Sequence, residues 1–273
     1  IYRRAYNKQT AMKIIEINTY NSGSTGKIMF SIADLAAEMG HTAYTAAPMT
    51  RIKTNRKNHI IIGNVISRKL HKYFSIYTGI EGCLSYFSTL NFLRKLDKIK
   101  PDIIHLHNLH GWYINLPLLF GYIKKHNIKT VWTLHDCWSF TGRCPHFVGD
   151  NCYKWKTGCY DCTFPSNRNP DAKLDGTKTM WKLKKEWFTD INDLTIVTPS
   201  KWLADLVKES YLKDYPVKVI NNGIDTTLFS PTSDSFREEY GISQEEKIVL
   251  GVSSYWDKSK GIDVFIDLAE KLD

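Results

Sequence analysis

The sequence lacks an apolar run long enough to cross a membrane. A transmembrane helix needs roughly 18 or more consecutive apolar residues, and no stretch of the 273-residue chain approaches that length. Residues 1–11 also lack the apolar core of a signal peptide. These absences predict a cytoplasmic protein. Because a strand pattern starts directly after Met12, we expect residues 1–11 to be an upstream extension outside the fold.

Acidic residues are absent between Glu38 and Glu81. The whole chain has 37 basic and 28 acidic residues and a formal net charge of +9. Such a gap predicts a basic face that attracts phosphates of nucleic acid, of anionic lipid or of a pyrophosphate-linked substrate. The plain alternative is a solvated basic face. Aromatic residues nearby favour an anionic membrane surface. The basic residues are Arg51, Lys53, Arg56, Lys57, Arg68, Lys69 and Lys72, and the aromatic ones are Tyr73, Phe74 and Tyr77.

Neither common nucleotide-binding glycine motif is present. The loop predicted at residues 21–26 places Gly23 and Gly26 too close together for a Walker A motif, and Ile28 follows Lys27 where Ser or Thr is required. The loop does not match Gly-x-Gly-x-x-Gly either, which disfavours a dinucleotide-dependent dehydrogenase. Glycines between a strand and a helix still let backbone N–H groups approach a phosphate. An ordinary tight turn is the alternative.

Short apolar strand patterns alternate with helical patterns along the chain. This repeated βαβ order predicts an α/β protein with a Rossmann-like parallel sheet and helices on both faces. Strands are expected at residues 13–18, 42–46, 59–62, 102–106, 129–134, 194–197 and 217–220, and helices at 28–39, 65–77, 84–98, 116–126, 180–188 and 201–210.

The pattern changes near residue 226. Residues 226–246 are polar and contain Ser230 followed by Pro231, which is typical of a linker. A strand pattern at 247–252 and an amphipathic helix at 261–272 then indicate the start of a second domain at 247–273. One βα unit cannot bury its own apolar faces, so we expect either a fragment or a segment that packs against the first domain, residues 12–225.

Histidines stand at the expected ends of two strands. The strand at 129–134 stops at His135 and Asp136, and ligands of open α/β sheets bind beyond the carboxyl ends of the strands. His105, His107 and His110 lie at and just after the expected end of the preceding strand, residues 102–106. Strand alternation puts His105 and His107 on one face, which allows a shared metal. No carboxylate or cysteine stands nearby in the sequence, so contact with a polar substrate or plain loop structure is favoured over metal.

Five of the six cysteines fall between residues 137 and 162. The spacing of Cys159 and Cys162 is that of a tetrahedral metal site, which Cys144 and Cys152 would complete, with Cys137 as an alternative to Cys144. The hypotheses are a structural zinc or reduced thiols packed in a loop, with disulfides or an iron–sulfur cluster less favoured in a cytoplasmic chain. Residues 137–162 are thus predicted to be a cysteine-rich insert.

Several of these motifs together resemble glycosyltransferase family 4, from Met12 to the end of the chain. They are Gly23-Ser-Thr-Gly26, the segment 102–108, Thr133-Leu-His-Asp136, Val197-Thr-Pro-Ser200, Ile220-Asn-Asn-Gly-Ile-Asp225 and Lys260-Gly261. The segments 135–144 and 152–159 are similar to a subgroup that acts in capsule, O-antigen and exopolysaccharide assembly.

The resemblance implies a retaining, nucleotide-sugar-dependent enzyme of GT-B fold, with two facing Rossmann-like domains and no cofactor required for catalysis. It would transfer a sugar to a lipid-linked or polysaccharide acceptor in cell-surface glycan biosynthesis. The basic and aromatic residues described above, not the resemblance, favour a peripheral position on the inner face of the cytoplasmic membrane. The acceptor would lie mainly on residues 12–225 and the nucleotide-sugar donor on the following domain.

The resemblance also implies roles for single residues. His135 would contact the transferred sugar, and Lys260 would stabilise the charge that builds on the departing diphosphate. No protein nucleophile is required, and the sequence nominates none. Donor or acceptor contacts are expected from Gly23, Ser24, Thr25, Gly26, His107, Asn108, His110, Asp136, Asn222 and Gly223.

Two departures from the family pattern affect these expectations. An arginine usually follows the glycine corresponding to Gly251, but Ser253, Ser254 and Trp256 stand in this region. The acidic Glu-x7-Glu donor motif would lie beyond Asp273, so the chain is expected to be inactive alone. The alternatives are a non-catalytic acceptor-binding module and a zinc-stabilised nucleic-acid-binding protein. The latter is disfavoured, and nucleic acid is not an expected partner, because no recognised nucleic-acid module is present.

Overall fold

The structure, a computed structural model, describes residues 10–50, 54–148, 151–162, 172–231, 235–253, 255–257 and 260–272. Arg51, Lys53 and Ser254, and residues 1–9 of the expected upstream extension, lie outside these ranges. The chain divides into two compact units, Ile1–Gly223 and Ile224–Asp273. This division falls close to the boundary at residue 225 that the sequence predicts.

The first unit contains a seven-stranded sheet in which every neighbouring pair is parallel. Its order is β3-β2-β1-β4-β5-β6-β7, which confirms the predicted Rossmann-like parallel sheet. Strands β2 and β3 follow one another on one side of β1, and strands β4 to β7 follow one another on its other side. This switch is where open α/β sheets form a ligand crevice. The strands are β1 Lys13–Ile17, β2 Thr42–Pro48, β3 His59–Ile62, β4 Ile103–Leu106, β5 Lys129–Thr133, β6 Leu194–Thr198 and β7 Val217–Val219.

Helices connect the strands and cover the sheet. Three of them begin at a side chain that accepts the backbone N–H three residues later, namely Asn64, Asn115 and Ser200. Such caps satisfy an amide that has no partner inside the helix. The helices of the first unit are α1 Gly23–Glu38, α2 Val65–Thr78, α3 Tyr86–Ile99, α4 Leu116–His126, α5 Thr177–Phe188 and α6 Lys201–Lys208, and those of the second are α7 Phe236–Glu239 and α8 Ile262–Leu272.

The core lies between the sheet and its helices and is rich in aromatic rings. Trp132 of β5 contacts Phe120 of α4 and Phe188 of α5, with ring centroids 5.5 Å and 4.9 Å apart. The indole N–H of Trp132 donates to the backbone oxygen of His107 at 2.9 Å. This hydrogen bond ties the end of β4 to the core, so the backbone that carries His107 is held in place.

Two predictions of local structure are wrong. The loop expected at 21–26 ends early, because Ser22 takes the N-cap position and Gly23 to Gly26 form the first turn of α1. Residues 247–252 are described and form no strand. Their apolar side chains are exposed, as in Leu250 at 77% and Val252 at 88%. Within the described residues they find no strand to pair with, and an isolated extended segment has no backbone hydrogen bonds to stabilise it.

Among the described residues, every helix is too short or too polar to span a lipid bilayer.

Candidate functional site

Polar side chains converge at the carboxyl ends of β1, β4 and β5. Glu16 of β1 pairs in register with His105 of β4, so the two side chains point to the same face of the sheet. His107 stands two residues further along and shares that face, as strand alternation predicts. Next to it, β5 ends at Thr133 and leads to His135. Residues that are far apart in sequence therefore meet at one edge.

These side chains form a continuous run of hydrogen bonds. A single carboxylate oxygen, Oε2 of Glu16, contacts His105 Nδ1 at 2.9 Å and His107 Nε2 at 2.8 Å. The second ring nitrogen of His105 contacts the Thr133 hydroxyl at 2.8 Å, and that of His107 contacts His135 Nε2 at 3.1 Å. Glu16 and His107 are buried and His135 is partly exposed. The run thus begins in the protein interior and ends at the surface.

Burial and charge set the protonation of this cluster. Burial alone would raise the pKa of Glu16, but the charge and hydrogen bonds of His105 and His107 outweigh it and hold that pKa below its usual value. Burial lowers the pKa of His107 despite its hydrogen bond to Glu16. Burial, assisted by His107, lowers the pKa of His135 to about 4. At neutral pH the cluster therefore contains an ionised carboxylate and neutral imidazoles at His107 and His135.

The ligand atoms of Glu16, His105 and His107 lie within 4.8 Å of one another, close enough for a metal ion. The sequence expectation that no carboxylate stands near the histidines is wrong in space, because pairing between β1 and β4 brings Glu16 to them. The two N–H···O hydrogen bonds already occupy the space between these atoms. The observed arrangement is a hydrogen-bond cluster around Oε2 of Glu16, while the buried Oε1 accepts no hydrogen bond among the described residues.

A second buried residue, Asn18, links the glycine-containing turn to the segment after β4. Its amide nitrogen donates to the Thr25 hydroxyl at 3.2 Å, and its amide oxygen accepts the backbone N–H groups of Thr19 and Asn108 at 2.9 Å and 3.3 Å. A Cβ on Gly26 would lie 2.9 Å from a backbone carbon of Asn21, so this turn requires glycine. The structure therefore holds Thr25 and Asn108, two predicted contacts, to one anchor.

The other predicted residues of the strand ends form a separate pair. His110 Nε2 contacts Asp136 Oδ2 at 3.1 Å, and Asp136 also accepts the backbone N–H of Trp138 at 2.9 Å. Burial would raise the pKa of Asp136, but the hydrogen bond and charge of His110 lower it below its usual value. Residues 107–110 and 134–136 line a common crevice with Trp132 and Trp138. His107, Asn108, His110, His135 and Asp136 are thus brought together.

The remaining predicted residues are placed elsewhere or stand at the surface. Gly23 and Ser24 are exposed on the first turn of α1, and Asn222 and Gly223 are exposed in the stretch that follows β7. Lys260 is exposed and belongs to the second unit, where its backbone N–H donates to Asp257 at 3.0 Å. The donor or acceptor contacts predicted for the four residues of the first unit, and the catalytic role predicted for Lys260, stay predictions.

Four cysteines of the insert lie in or against the hydrophobic core: Cys137, Cys144, Cys152 and Cys159. Cys159 accepts the backbone N–H of Gly142 at 3.1 Å, Cys144 donates to the His146 carbonyl at 2.7 Å, and burial raises the pKa of Cys159 to about 11. All six cysteines are thiols. Within the described ranges, no three of the cysteine sulfurs approach to within 4.8 Å of one another. The present arrangement is not a ready tetrahedral set, and the zinc on Cys144, Cys152, Cys159 and Cys162 stays a prediction.

Sequence reasoning missed three residues of this edge: Glu16, Asn18 and Thr133. The available signal was a polar side chain in a buried strand, since Glu16 stands between isoleucines and Asn18 follows directly. A buried carboxylate is rare without a partner, so Glu16 predicts a partner whose identity depends on strand order.

Comparison with known proteins identifies the family. The sequence profile described as Glycosyltransferase Family 4 matches residues 26–228, well over half of the chain. The chain belongs to glycosyltransferase family 4. Together with the parallel sheet, this membership confirms the predicted α/β, GT-B-like fold class, and all the predicted site residues from His107 to Gly223 lie within the family match.

Named relatives cover parts of the chain. A protein from Escherichia coli (strain K12) named colanic acid biosynthesis glycosyl transferase WcaC is 36% identical over 132 residues, which are 46% of this chain and 32% of that protein. The processive diacylglycerol alpha-glucosyltransferase of Acholeplasma laidlawii is 29% identical over 80 residues, 28% of this chain and 24% of its own. The matched stretches span a third or less of these family members.

Solved structures also align with most of the chain. A glycosyltransferase from Rickettsia africae ESF-5 aligns over 87% of this chain and 51% of its own, with a TM-score of 0.43 and 14% identity. The catalytic domain of starch synthase IV from Arabidopsis thaliana, bound to ADP and acarbose, aligns over 87% and 61%, with a TM-score of 0.43 and 15% identity.

Proposed function

We propose that this family 4 chain acts in a retaining glycosyltransferase, which moves a sugar from a nucleotide-sugar donor to a lipid-linked or polysaccharide acceptor in cell-surface glycan assembly. The observation that supports it most is the cluster at the sheet switch point, where His107, Asn108, His110, His135 and Asp136 meet within the family match. The WcaC relative supports the glycan pathway by its name.

The chemistry asks little of the protein beyond positioning and charge. When the bond between the sugar and the diphosphate breaks, negative charge builds on the leaving phosphate oxygen, and a fixed cation such as Lys260 would stabilise it. The acceptor hydroxyl would form the new bond on the same face and give its proton to that oxygen. His135, neutral at pH 7 and at the rim of the cluster, would hydrogen-bond a hydroxyl of the transferred sugar. No metal or other cofactor takes part in these steps.

The decisive experiment is donor turnover by the product of the whole gene. It would be incubated with a panel of UDP- and GDP-sugars, with and without membrane-extracted acceptor, and release of the nucleoside diphosphate would be measured. We expect turnover of one donor and a loss of about 10²-fold or more in kcat in Lys260→Ala and His135→Ala variants, because each removes a contact to the reacting groups. NMR of the product gives its anomeric configuration, which tests retention.

Matched controls separate these roles from general damage. Lys271→Ala removes another exposed lysine of the second unit, and His126→Ala removes an exposed histidine at the end of α4; both are expected to turn over donor normally. Equal losses in the control and site variants would contradict the assigned roles. Binding of acceptor without turnover of any donor would instead indicate the non-catalytic acceptor-binding module.

We also infer that α2 docks the protein on an anionic membrane, which would place it at the inner face of the cytoplasmic membrane. Four apolar side chains follow one another along its outer face at helical spacing and stand in solvent. Their exposed fractions are 71% for Ile66, 62% for Leu70, 58% for Tyr73 and 54% for Tyr77. Such a stripe with basic flanks is typical of helices that lie in the plane of a lipid surface.

The basic residues of α2 favour an anionic surface. Arg68 donates to the backbone oxygens of Gly111 and Met49 at 3.4 Å and 3.3 Å, and the Lys72 ammonium lies 5.3 Å from the centre of the Trp112 ring. With Lys69 they line an open cavity of about 400 Å³. A phosphate head group beside α2 would meet this positive charge while the apolar stripe enters the lipid.

Vesicle co-sedimentation tests the docking. Binding is expected for vesicles with anionic lipid, to fall in high salt, and to fall at least tenfold in an Ile66→Ser/Leu70→Ser variant. The matched control is Leu35→Ser/Met39→Ser, which removes two exposed apolar residues, one in the last turn of α1 and one at its C-cap. Binding that ignores lipid charge, salt and the α2 changes would rule this docking out.

A further inference from the structure

A chain of hydrogen bonds runs from a buried carboxylate to the residue at the rim of the site. Both ring nitrogens of His107 are engaged, Nε2 with Glu16 at 2.8 Å and Nδ1 with His135 Nε2 at 3.1 Å. Glu16 is 0% exposed and His107 is 1% exposed. Both side chains are buried, so we argue their effect on a substrate through the more exposed His135.

The direction of each proton along this chain follows from what each group can donate. An ionised carboxylate only accepts, so His107 Nε2 carries the proton that points to Glu16. A neutral imidazole has one N–H, which leaves His107 Nδ1 with a lone pair. That lone pair accepts the proton of His135 Nε2. A neutral His135 then has its lone pair on Nδ1, which has no hydrogen-bond partner among the residues that the structure describes.

We propose that Glu16 and His107 are positioning residues that hold His135 in its Nε2–H tautomer, so that Nδ1 is offered to the substrate as a hydrogen-bond acceptor. This acceptor selects a group that donates, such as a sugar hydroxyl, and rejects a carboxylate, whose oxygens would face a lone pair. The identity of the hydroxyl as that of a sugar rests on the proposed function. The tautomer itself does not.

The groups around His135 leave this assignment in place. Asp136 is engaged by His110 and by the Trp138 N–H at 3.1 Å and 2.9 Å. His105 faces Glu16 and Thr133. An imidazolium at His107 would donate from both nitrogens and force the opposite tautomer on His135, but burial disfavours that charge by lowering the pKa of His107. The tautomer of His135 therefore shows whether the hydrogen bonds that run from Glu16 through His107 are formed as proposed.

Imidazole ¹⁵N–¹H NMR of the histidine-labelled chain at pH 7 tests the proposal without any substrate. The His135 signals would be assigned by their loss in His135→Asn. We expect one form, with a protonated Nε2 and an unprotonated Nδ1. A protonated Nδ1, or an even mixture of the two forms, would overturn the proposal. So would stoichiometric zinc in the wild-type protein that is lost in Glu16→Gln.

Two substitutions test the hydrogen bond between His107 and His135 separately from the other contacts of the cluster. His107→Phe removes the link to His135, and both tautomers of His135 are then expected to be populated. Thr133→Val removes the 2.8 Å contact to His105 on the other branch and should leave His135 unchanged. A His135 spectrum that stays single in His107→Phe contradicts the proposal. If that variant does not fold, Glu16→Gln serves instead, because an amide can donate to His107 as well as accept.

Turnover by the whole-gene product then connects the tautomer to chemistry. His107→Phe is expected to lower kcat/KM by ~10–100-fold, by analogy with partners that orient metal-ligating histidines, and Thr133→Val by much less. The expected tautomer in a protein with no donor turnover supports the positioning chain and contradicts the proposed function. A normal kcat/KM in His107→Phe overturns the positioning role.

Discussion

The strand-end cluster and the outer face of α2 are opposite kinds of surface within one unit. In the cluster, polar groups are buried and almost every ring nitrogen has a fixed partner, as for Glu16 and His107. On α2 the prominent side chains are apolar and stand in solvent, as for Ile66 and Leu70. Fixed hydrogen bonds give direction, which bond-making chemistry needs. An exposed apolar stripe gives contact without direction, which a fluid lipid surface needs.

The comparison predicts that the cluster is sensitive to single changes. Glu16→Ala removes the shared acceptor and leaves N–H groups of His105 and His107 buried without a partner. Leaving a buried N–H donor without a partner costs ~1–3 kcal/mol, so urea unfolding should show a loss of about 2–6 kcal/mol for the two donors. Glu16→Gln keeps the volume and an oxygen acceptor and should cost clearly less. Equal, small losses in both variants would show that the cluster is not held by this carboxylate.

The inner face of α2 resembles the cluster more than it resembles its own outer face. His71 is buried, accepts the Gly82 N–H at 3.0 Å and contacts the Ser85 hydroxyl at 2.9 Å. Only a neutral ring can accept at one nitrogen and donate at the other. Burial lowers the pKa of His71 to about 4. One helix therefore presents a fixed polar contact inside and adaptable apolar contacts outside.

This contrast gives a pH prediction. The unfolded chain protonates its histidines near pH 6.5, so between pH 6.5 and 4 the unfolded state binds more protons than a fold that keeps His71 neutral. Stability must then fall as the pH is lowered through that window. The loss from His71 alone is about 2 kcal/mol at pH 5, and His135 adds a similar effect. Urea unfolding at pH 7.5 and pH 5 measures it.

A His71→Gln variant isolates that contribution. Glutamine does not titrate, so the difference in unfolding free energy between the two pH values should shrink by about 2 kcal/mol relative to the unchanged chain. His126→Gln, at an exposed histidine, should leave the difference as it was. If His71→Gln and the unchanged chain lose the same free energy on acidification, His71 is not held neutral by the fold.

The sequence predicted the fold of the first unit because buried parallel strands are recognisable locally. A run such as residues 129–134 is rich in apolar and β-branched residues whatever its neighbours are, and seven such runs became the seven strands. Residues 247–252 show the limit of that reasoning. They show a similar strand pattern. A strand forms only where another strand supplies its hydrogen bonds, and the sequence of one segment does not identify that partner.

The site was predictable only in part for a related reason. His135 and Asp136 stand out because they follow a strand pattern directly, and strand ends are where ligands bind. The role of Glu16 depends on β1 lying beside β4 in register, which is a property of strand order. The spacing of the cysteines predicts a metal site, but spacing alone does not fix the distances between sulfurs, so that site stays a prediction.

The smallest expected effect comes from the outer face of α2. Ile66 and Leu70 are mostly exposed, and surface changes away from packed contacts alter stability by no more than about 0.5 kcal/mol. The Ile66→Ser/Leu70→Ser variant should therefore unfold in urea almost as the unchanged chain does, while it loses vesicle binding. A destabilisation of about 2 kcal/mol or more would mean that these side chains pack against protein in solution. In that case the apolar stripe of α2 would be covered by another part of the protein and not by lipid.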